Sequence, residues 1–279
     1  MDKLIIYTLD DFKAEDGDSF IIGSFQSFHL GHYQLYKQIA NNPGRKIIVT
    51  FSCNDIYKYR NEKLYQNDND RYLMMSKMNV DAIIVLHFND VRHLSGPEFL
   101  HKLASDKKVN IAIGQDFKFG YQAQWKADDI ANILPNANVC VVEIYKIKNV
   151  KISTKLLREG LAYGKFRFLN MVSPFGYLVS GELNNKGFHY PENVIVIPAG
   201  LYIAILYANG FGFHIIMHKT KDNWIFLKLV EKQSMYSIER IVGNVVLEII
   251  SELRFIVSND EDQITEEDYV NAKNIFLKS

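Results

Sequence analysis

Two histidines separated by a leucine and a glycine, His29-Leu30-Gly31-His32, are the residues whose types and spacing most directly permit chemistry in this chain of 279 residues. They close the segment Gly23-Ser24-Phe25-Gln26-Ser27-Phe28-His29-Leu30-Gly31-His32, which follows a short apolar run and precedes an amphipathic one. A strand that turns into a helix leaves backbone N–H groups unpaired at the helix start, where the positive end of the dipole also lies, and this is a natural seat for phosphate. Gly31 lets a phosphate chain approach the backbone closely, and the two imidazoles can then reach one anion. A histidine pair at a helix start also occurs for structural reasons alone; the strand–loop–helix setting favours the functional reading.

Two further segments suit the same site. Gly114-Gln115-Asp116-Phe117-Lys118-Phe119-Gly120 leaves the end of a later strand, where ligands collect in open α/β sheets. Its plain reading is a glycine-rich turn with a core phenylalanine. Lys151-Ile152-Ser153-Thr154 opens another helix and offers hydroxyls and amides to phosphate, or simply an N-cap.

These segments need a scaffold, and the first 170 or so residues supply the pattern of one. Apolar runs at 20–23, 46–51, 82–86, 109–113 and 139–144 read as strands covered on both faces. Helical stretches are predicted at 33–40, 71–78, 97–104 and 154–162, the third begun by Ser95 and Pro97. Alternation of this kind builds a parallel sheet from βαβ units. After Ser173-Pro174-Phe175-Gly176, strand-like segments at 177–181, 201–207, 213–217, 225–230 and 245–250 follow one another with turns between, which favours an antiparallel barrel. A last helix is expected from Thr265-Glu266-Glu267-Asp268, a capping-box pattern. The domains are placed at 1–172 and 173–279.

Composition bounds the function. Lys+Arg and Asp+Glu are both 32, which excludes binding to nucleic acid by global positive charge and leaves only a local patch. No apolar run approaches the 18 residues of a membrane span, and the opening stretch is too short for a signal peptide, so a cytoplasmic setting is expected. Cys53 and Cys140 have no partner at metal-ligand spacing and read as buried thiols in a reducing compartment.

In order and context, His29-Leu30-Gly31-His32, Gly114 to Gly120 and Ser153-Thr154 resemble the nucleotidyltransferase half of the prokaryotic bifunctional riboflavin kinase/FAD synthetases. The stretches 80–88 and 94–100 are also similar to that family, whose layout adds a β-barrel after a Rossmann-like nucleotidyltransferase domain. The resemblance implies transfer of AMP from ATP to FMN, giving FAD and pyrophosphate. His29 and His32 would act on the phosphate chain, beside Gly23, Phe25 and Gly31 in the ATP site. Ser153 and Thr154 would hold the outer phosphates, with Lys151, Lys155 or Arg158 supplying charge. Gly114, Asp116, Phe117 and Phe119 would line the nucleotide or flavin pocket. Magnesium is implied as the ATP counterion, with no ligand assigned, and ATP and FMN as the small-molecule partners.

The chain departs from the family pattern in places. Ser24, Gln26 and Ser27 stand where Asn, Asp and Gly are usual, and Leu157 stands where a basic residue normally follows the Thr, with Arg158 one place later. In the barrel, Lys186-Gly187-Phe188-His189-Tyr190-Pro191-Glu192-Asn193 lacks the Thr-Ala-Asn of the kinase loop, and Phe226 falls where a catalytic glutamate is expected. A phenyl ring cannot take a proton, so this reading has the kinase chemistry lost. Pro198-Ala199-Gly200-Leu201-Tyr202 and Glu252-Leu253-Arg254-Phe255 keep the barrel's scaffold signs. Met74-Met75-Ser76-Lys77-Met78 resembles a signature of class I aminoacyl-tRNA synthetases, but falls in a helical stretch where the methionines read as core. The alternatives are a nucleotidyltransferase acting on another phosphorylated acceptor and a non-catalytic paralogue that binds flavin or nucleotide.

Overall fold

The apolar runs of the first half form one parallel sheet. In the computed structural model of the chain, which describes residues 4–231 and 238–278, its strands lie in the order Ile5–Thr8, Ala82–Leu86, Lys46–Phe51, Ser19–Ile22, Asn110–Gly114 and Asn138–Val142. Phe20, Ile22, Ile47, Val49, Ile84 and Ile113 pack with Leu100 and Leu103 of the helix Gly96–Ala104 into one core. Each such side chain, fully buried, contributes roughly 1.5–3 kcal/mol. That helix starts as its sequence predicts, with Ser95 and Glu98 forming a reciprocal capping box.

The strand order creates the site. From Ser19–Ile22 the chain moves to one side through Lys46–Phe51 and Ala82–Leu86, then returns to pair Asn110–Gly114 on the other side. The segments leaving Ser19–Ile22 and Asn110–Gly114 therefore diverge and open a crevice at the carboxyl ends of the strands.

The second half forms a nearly closed antiparallel barrel followed by a C-terminal helix. Its strands run Gly187–His189, Tyr177–Asn184, Gly243–Phe255, Gly200–Ala208, Phe211–Lys219 and Ile225–Leu229. Register shifts beside Leu201 and Ile203 bend the long pair, as bulges do in curved sheets. The two end strands meet at Gly187, where a Cβ would lie 2.5 Å from the Ile225 carbonyl oxygen. The helix Glu266–Phe276 is capped by Thr265 and held by a two-pronged Arg254–Asp268 pair, with Nε to Oδ1 at 2.9 Å and Nη2 to Oδ2 at 3.0 Å.

By contacts the chain divides into two compact units, Met1–Glu62 with Arg71–Thr154, and Lys63–Asp70 with Lys155–Ser279. Within the second unit, Leu64 bridges Val194, Gln66 Nε2 donates to the Leu178 carbonyl and the Tyr177 hydroxyl donates to the Tyr65 carbonyl.

Several expectations shift. The helix predicted at 33–40 starts at Leu30, and the one at 71–78 spans Asp68–Met75, with Met74, Met75 and Met78 buried as core residues. The strand expected at 139–144 is Asn138–Val142, so Glu143 and Ile144 belong to the following loop. The edge strand Ile5–Thr8 and the short helices Cys53–Arg60 and Phe166–Val172 add to the predicted elements. Neither cysteine is in a disulfide, and only Cys53 is buried; Cys140 lies on the edge strand, is partly exposed and sits 3.7 Å from Gln38 Oε1. Among the described residues no helix is long and apolar enough to cross a membrane.

Candidate active site

The loop between Ser19–Ile22 and the helix Leu30–Ile39 is fastened from beneath before it reaches the histidines. Arg71, fully buried, donates from Nη1 to the carbonyls of Ser24 (3.1 Å) and Phe25 (3.2 Å) and to Thr50 Oγ1 (2.9 Å), and from Nη2 to the Phe51 carbonyl (2.7 Å). Thr50 Oγ1 in turn donates to the Ser24 carbonyl at 2.9 Å. These bonds hold Phe25 at φ 39°, a left-handed conformation uncommon outside glycine. Gly23 is small for a related reason: its Cβ would lie 2.8 Å from the Phe25 ring.

His29 is the N-cap of the following helix. Its Nδ1 accepts from the N–H groups of Gly31 (3.1 Å) and His32 (3.4 Å). An imidazole nitrogen that accepts carries no proton, so a neutral His29 bears its hydrogen on Nε2. His32 has the opposite arrangement. Its Nδ1 lies 2.8 Å from the Ser27 carbonyl oxygen, which can only accept, so Nδ1 bears the hydrogen and Nε2 the lone pair. The two rings stack with centroids 3.7 Å apart, and the Phe25 ring meets His32 edge-on at 4.8 Å. Burial, helped by the Lys151 charge, lowers the His29 pKa to about 4. Burial, helped by His29, holds His32 well below the usual imidazole range.

A cleft of about 200 Å³ faces these rings, lined also by Gly31, Gly114, Asp116 and the stretch Lys151 to Thr154. Three segments distant in sequence thus converge on one cavity. A hydrogen bond of 3.0 Å from Ser27 Oγ to Thr154 Oγ1 joins the histidine loop to the Ser153–Thr154 turn. Lys151 Nζ pairs with Asp116 Oδ2 at 2.8 Å across the mouth. A Cβ on Gly31 would come within 2.9 Å of His29 Cε1, so this position stays bare for the ring to sit where it does.

Not every residue named from sequence reaches the cleft. Phe25 and Phe119 are core residues; Phe25 backs His32, and Phe119 packs with the sheet core and stacks on Phe117 at 5.4 Å. Phe117 packs on the same core, and Gly23 serves Phe25 rather than the cavity. The helix Thr154–Ala162 begins at Thr154, with Leu157 on its buried face, Lys155 exposed and Arg158 partly so. Lys155 and Arg158 belong to the second unit and do not line the cleft. Sequence reasoning passed over Arg71, Glu143 and Tyr145; the last two line the cleft from the loop after the edge strand. A lone arginine in an amphipathic helix gives no sign that it is buried. Among the described residues no group of three His, Cys, Asp or Glu could by itself hold a metal ion.

The family model described as FAD synthetase matches residues 12–156, just over half of the chain. A bifunctional riboflavin kinase/FMN adenylyltransferase of Buchnera aphidicola is 25% identical, over 69% of this chain and 67% of its own. One from Listeria monocytogenes is 22% identical, over 68% of each. A chloroplastic FAD synthetase of Arabidopsis thaliana is 20% identical over 53% of this chain and 47% of its own. The crystal structure of a macrolide-efflux protein from Streptococcus pneumoniae superposes on 100% of this chain and 98% of its own with TM-score 0.74 and 16% identity, a likeness of fold.

Proposed function

The chain belongs to the FAD synthetase family, and we propose that it is an FMN adenylyltransferase that joins the AMP of ATP to FMN, releasing pyrophosphate. The observation that carries this reading is the convergence of His29 and His32 with the Ser153–Thr154 turn on one cleft, tied together by the Ser27–Thr154 bond. A phosphate oxygen of FMN attacks the α-phosphorus of ATP, the bond to the β-phosphate bridging oxygen breaks, and the electron pair leaves on pyrophosphate. Such a transfer depends on positioning and on charge neutralisation rather than on a covalent intermediate.

His29 is neutral near pH 7 and donates from Nε2 to a phosphate oxygen, a dipole fixed before the reaction by its capping bonds. His32 Nε2 accepts while the ring is neutral; a triphosphate beside it favours protonation there, which converts it to a second donor. Thr154 and the backbone of its turn hold the outer phosphates, and Lys151 supplies positive charge at the mouth. Asp116 and Gly114 shape the wall where the nucleotide or flavin enters. Magnesium fits as an ion carried by the substrate: such ions keep several waters and take one or two carboxylates besides phosphate oxygens. Asp116 and Glu143 are the carboxylates of this cleft. Bound there, the ion would neutralise triphosphate charge.

The barrel, in this reading, folds without phosphorylating riboflavin. Phe226 sits in the strand Ile225–Leu229 opposite His218 and brings no proton acceptor to the place of the expected general base. Incubation with FMN, ATP and magnesium tests the first activity: FAD and pyrophosphate in equal amounts are expected, and their absence from folded protein refutes it. Riboflavin in place of FMN tests the second, where any FMN formed refutes the loss.

A further inference from the structure

Ser27 ties the histidine loop to the Thr154 turn, and no step of the reaction described above is assigned to its hydroxyl or its carbonyl. The residue is fully buried. Its Oγ lies 3.0 Å from Thr154 Oγ1, its one side-chain partner among the described residues, and its carbonyl takes the His32 Nδ1–H at 2.8 Å. A buried hydroxyl with a single acceptor in reach donates to it, because an unpaired buried donor is costly. Thr154 Oγ1 therefore receives the Ser27 hydrogen on a lone pair and keeps its own hydrogen for an acceptor in the cleft. A donor that also accepts is polarised in the sense that strengthens its donation.

We propose that Ser27 is a positioning residue of the adenylyl-transfer site: its hydroxyl turns Thr154 into an oriented donor toward the phosphate chain, while its carbonyl fixes the His32 ring. One residue thereby sets the spacing between the imidazoles and the hydroxyl turn. The inference rests on the proposed function for its substrate. It is local to the Ser27–Thr154 pair, so it can fail while that function stands.

The test is a double-mutant cycle of Ser27→Ala and Thr154→Ala, with Thr154→Ser as the conservative variant. Rates of FAD formation and MgATP binding by calorimetry are both read, and thermal unfolding reports folding. Ser27→Ala keeps the backbone carbonyl and so the His32 bond. It is expected to lower kcat/KM for ATP and MgATP affinity roughly three- to tenfold, the worth of one buried hydrogen bond. In the Thr154→Ala background the same change should have no further effect, whereas Thr154→Ser should retain the sensitivity. Equal losses in both backgrounds, or no loss in the unmodified protein, overturn the proposal. If Ser27→Ala does not fold, Ser27→Cys, a near isostere with a weak donor, takes its place in the cycle and the same outcomes apply. If the unmodified protein binds MgATP but forms no FAD, the adenylyl-transfer reading falls and the cycle read in Kd still decides the positioning role. If it binds no MgATP, both fall.

Discussion

The imidazoles of His29 and His32 lie face to face, 3.7 Å between centroids and 16° from parallel, yet their neighbours hold them in opposite tautomers. His29 accepts at Nδ1 from its own helix, and His32 donates at Nδ1 to the loop that precedes it. Two stacked cations would repel; burial keeps both rings neutral in the free protein. The pair is thus preorganised as one donor and one acceptor toward the cleft, before any phosphate arrives.

Substitutions should separate the capping role of His29 from its chemical one. His29→Asn supplies a side-chain oxygen that can still cap Gly31 and His32, whereas His29→Ala supplies none. Both are expected to lower kcat for FAD formation by about 10²–10³, the usual loss of a preorganised transition-state donor. Only His29→Ala should also cost the cap, about 1 kcal/mol of stability. Pyrophosphate release and thermal unfolding measure the two effects, and a His29→Ala enzyme with undiminished kcat would remove the ring from the mechanism.

The lowered histidine pKa values also set how stability varies with pH. An imidazole near 6.5 when unfolded and about 4 when folded binds more protons in the unfolded chain between those values. Its contribution is therefore complete above about pH 6.5 and is lost as pH falls toward 4. For His29 alone the loss is on the order of 3 kcal/mol, and His32 adds in the same direction. Urea unfolding at pH 7 and pH 5 should show the decline, and His29→Asn should flatten it in part.

How far this site was legible in the sequence depends on the kind of signal each residue gives. His29, Gly31, Gly114 and the Ser153–Thr154 turn could be placed together because strand ends and helix starts are marked by apolar runs, glycines and caps. Ser27 shows in the sequence only as a departure from the family pattern; the structure gives its hydroxyl a partner 127 residues away, a pairing that no local pattern encodes. The resemblance puts Phe25 in the ATP site; the residue has a positive φ and its ring is buried behind His32. The barrel strands were found from their turns, whereas the segment Lys63–Asp70, which belongs with the barrel unit, carries no periodic pattern that would assign it there. Short and edge elements such as Ile5–Thr8 escape for lack of length and of burial on both faces.

Arg71 offers a prediction about stability rather than chemistry. Its guanidinium donates to the carbonyls of Ser24, Phe25 and Phe51 and to Thr50 Oγ1 at the floor of the histidine loop. Arg71→Met fills much of the same volume but takes the donor from the Phe25 and Phe51 carbonyls, while the Ser24 carbonyl keeps its bond from Thr50 Oγ1. It should destabilise the fold by roughly 1–3 kcal/mol for each buried acceptor left unpaired. Arg71→Lys, with a point charge in place of the planar fork, should recover part of that. Denaturant unfolding midpoints rank the three proteins; equal midpoints for Arg71→Met and the unmodified chain would contradict the bracing role.

Lys151 and Asp116 allow stability and binding to be told apart. Their ion pair is 2.8 Å long with both side chains about half exposed, and pairs of that kind are worth about 0–1 kcal/mol. Lys151→Met should therefore change the unfolding free energy little. It removes the positive charge from a cleft proposed to hold a triphosphate, so MgATP affinity should fall about tenfold, most visibly at low salt. Asp116→Asn removes a negative charge and frees Lys151, so its effect on the affinity for ATP, measured without magnesium and without FMN, should have the opposite sign. The Lys151 charge also holds the His29 pKa down, so Lys151→Met should raise it, which a proton NMR titration of the imidazole can follow. If both variants bind the nucleotide as the unmodified protein does, the triphosphate does not lie against this pair.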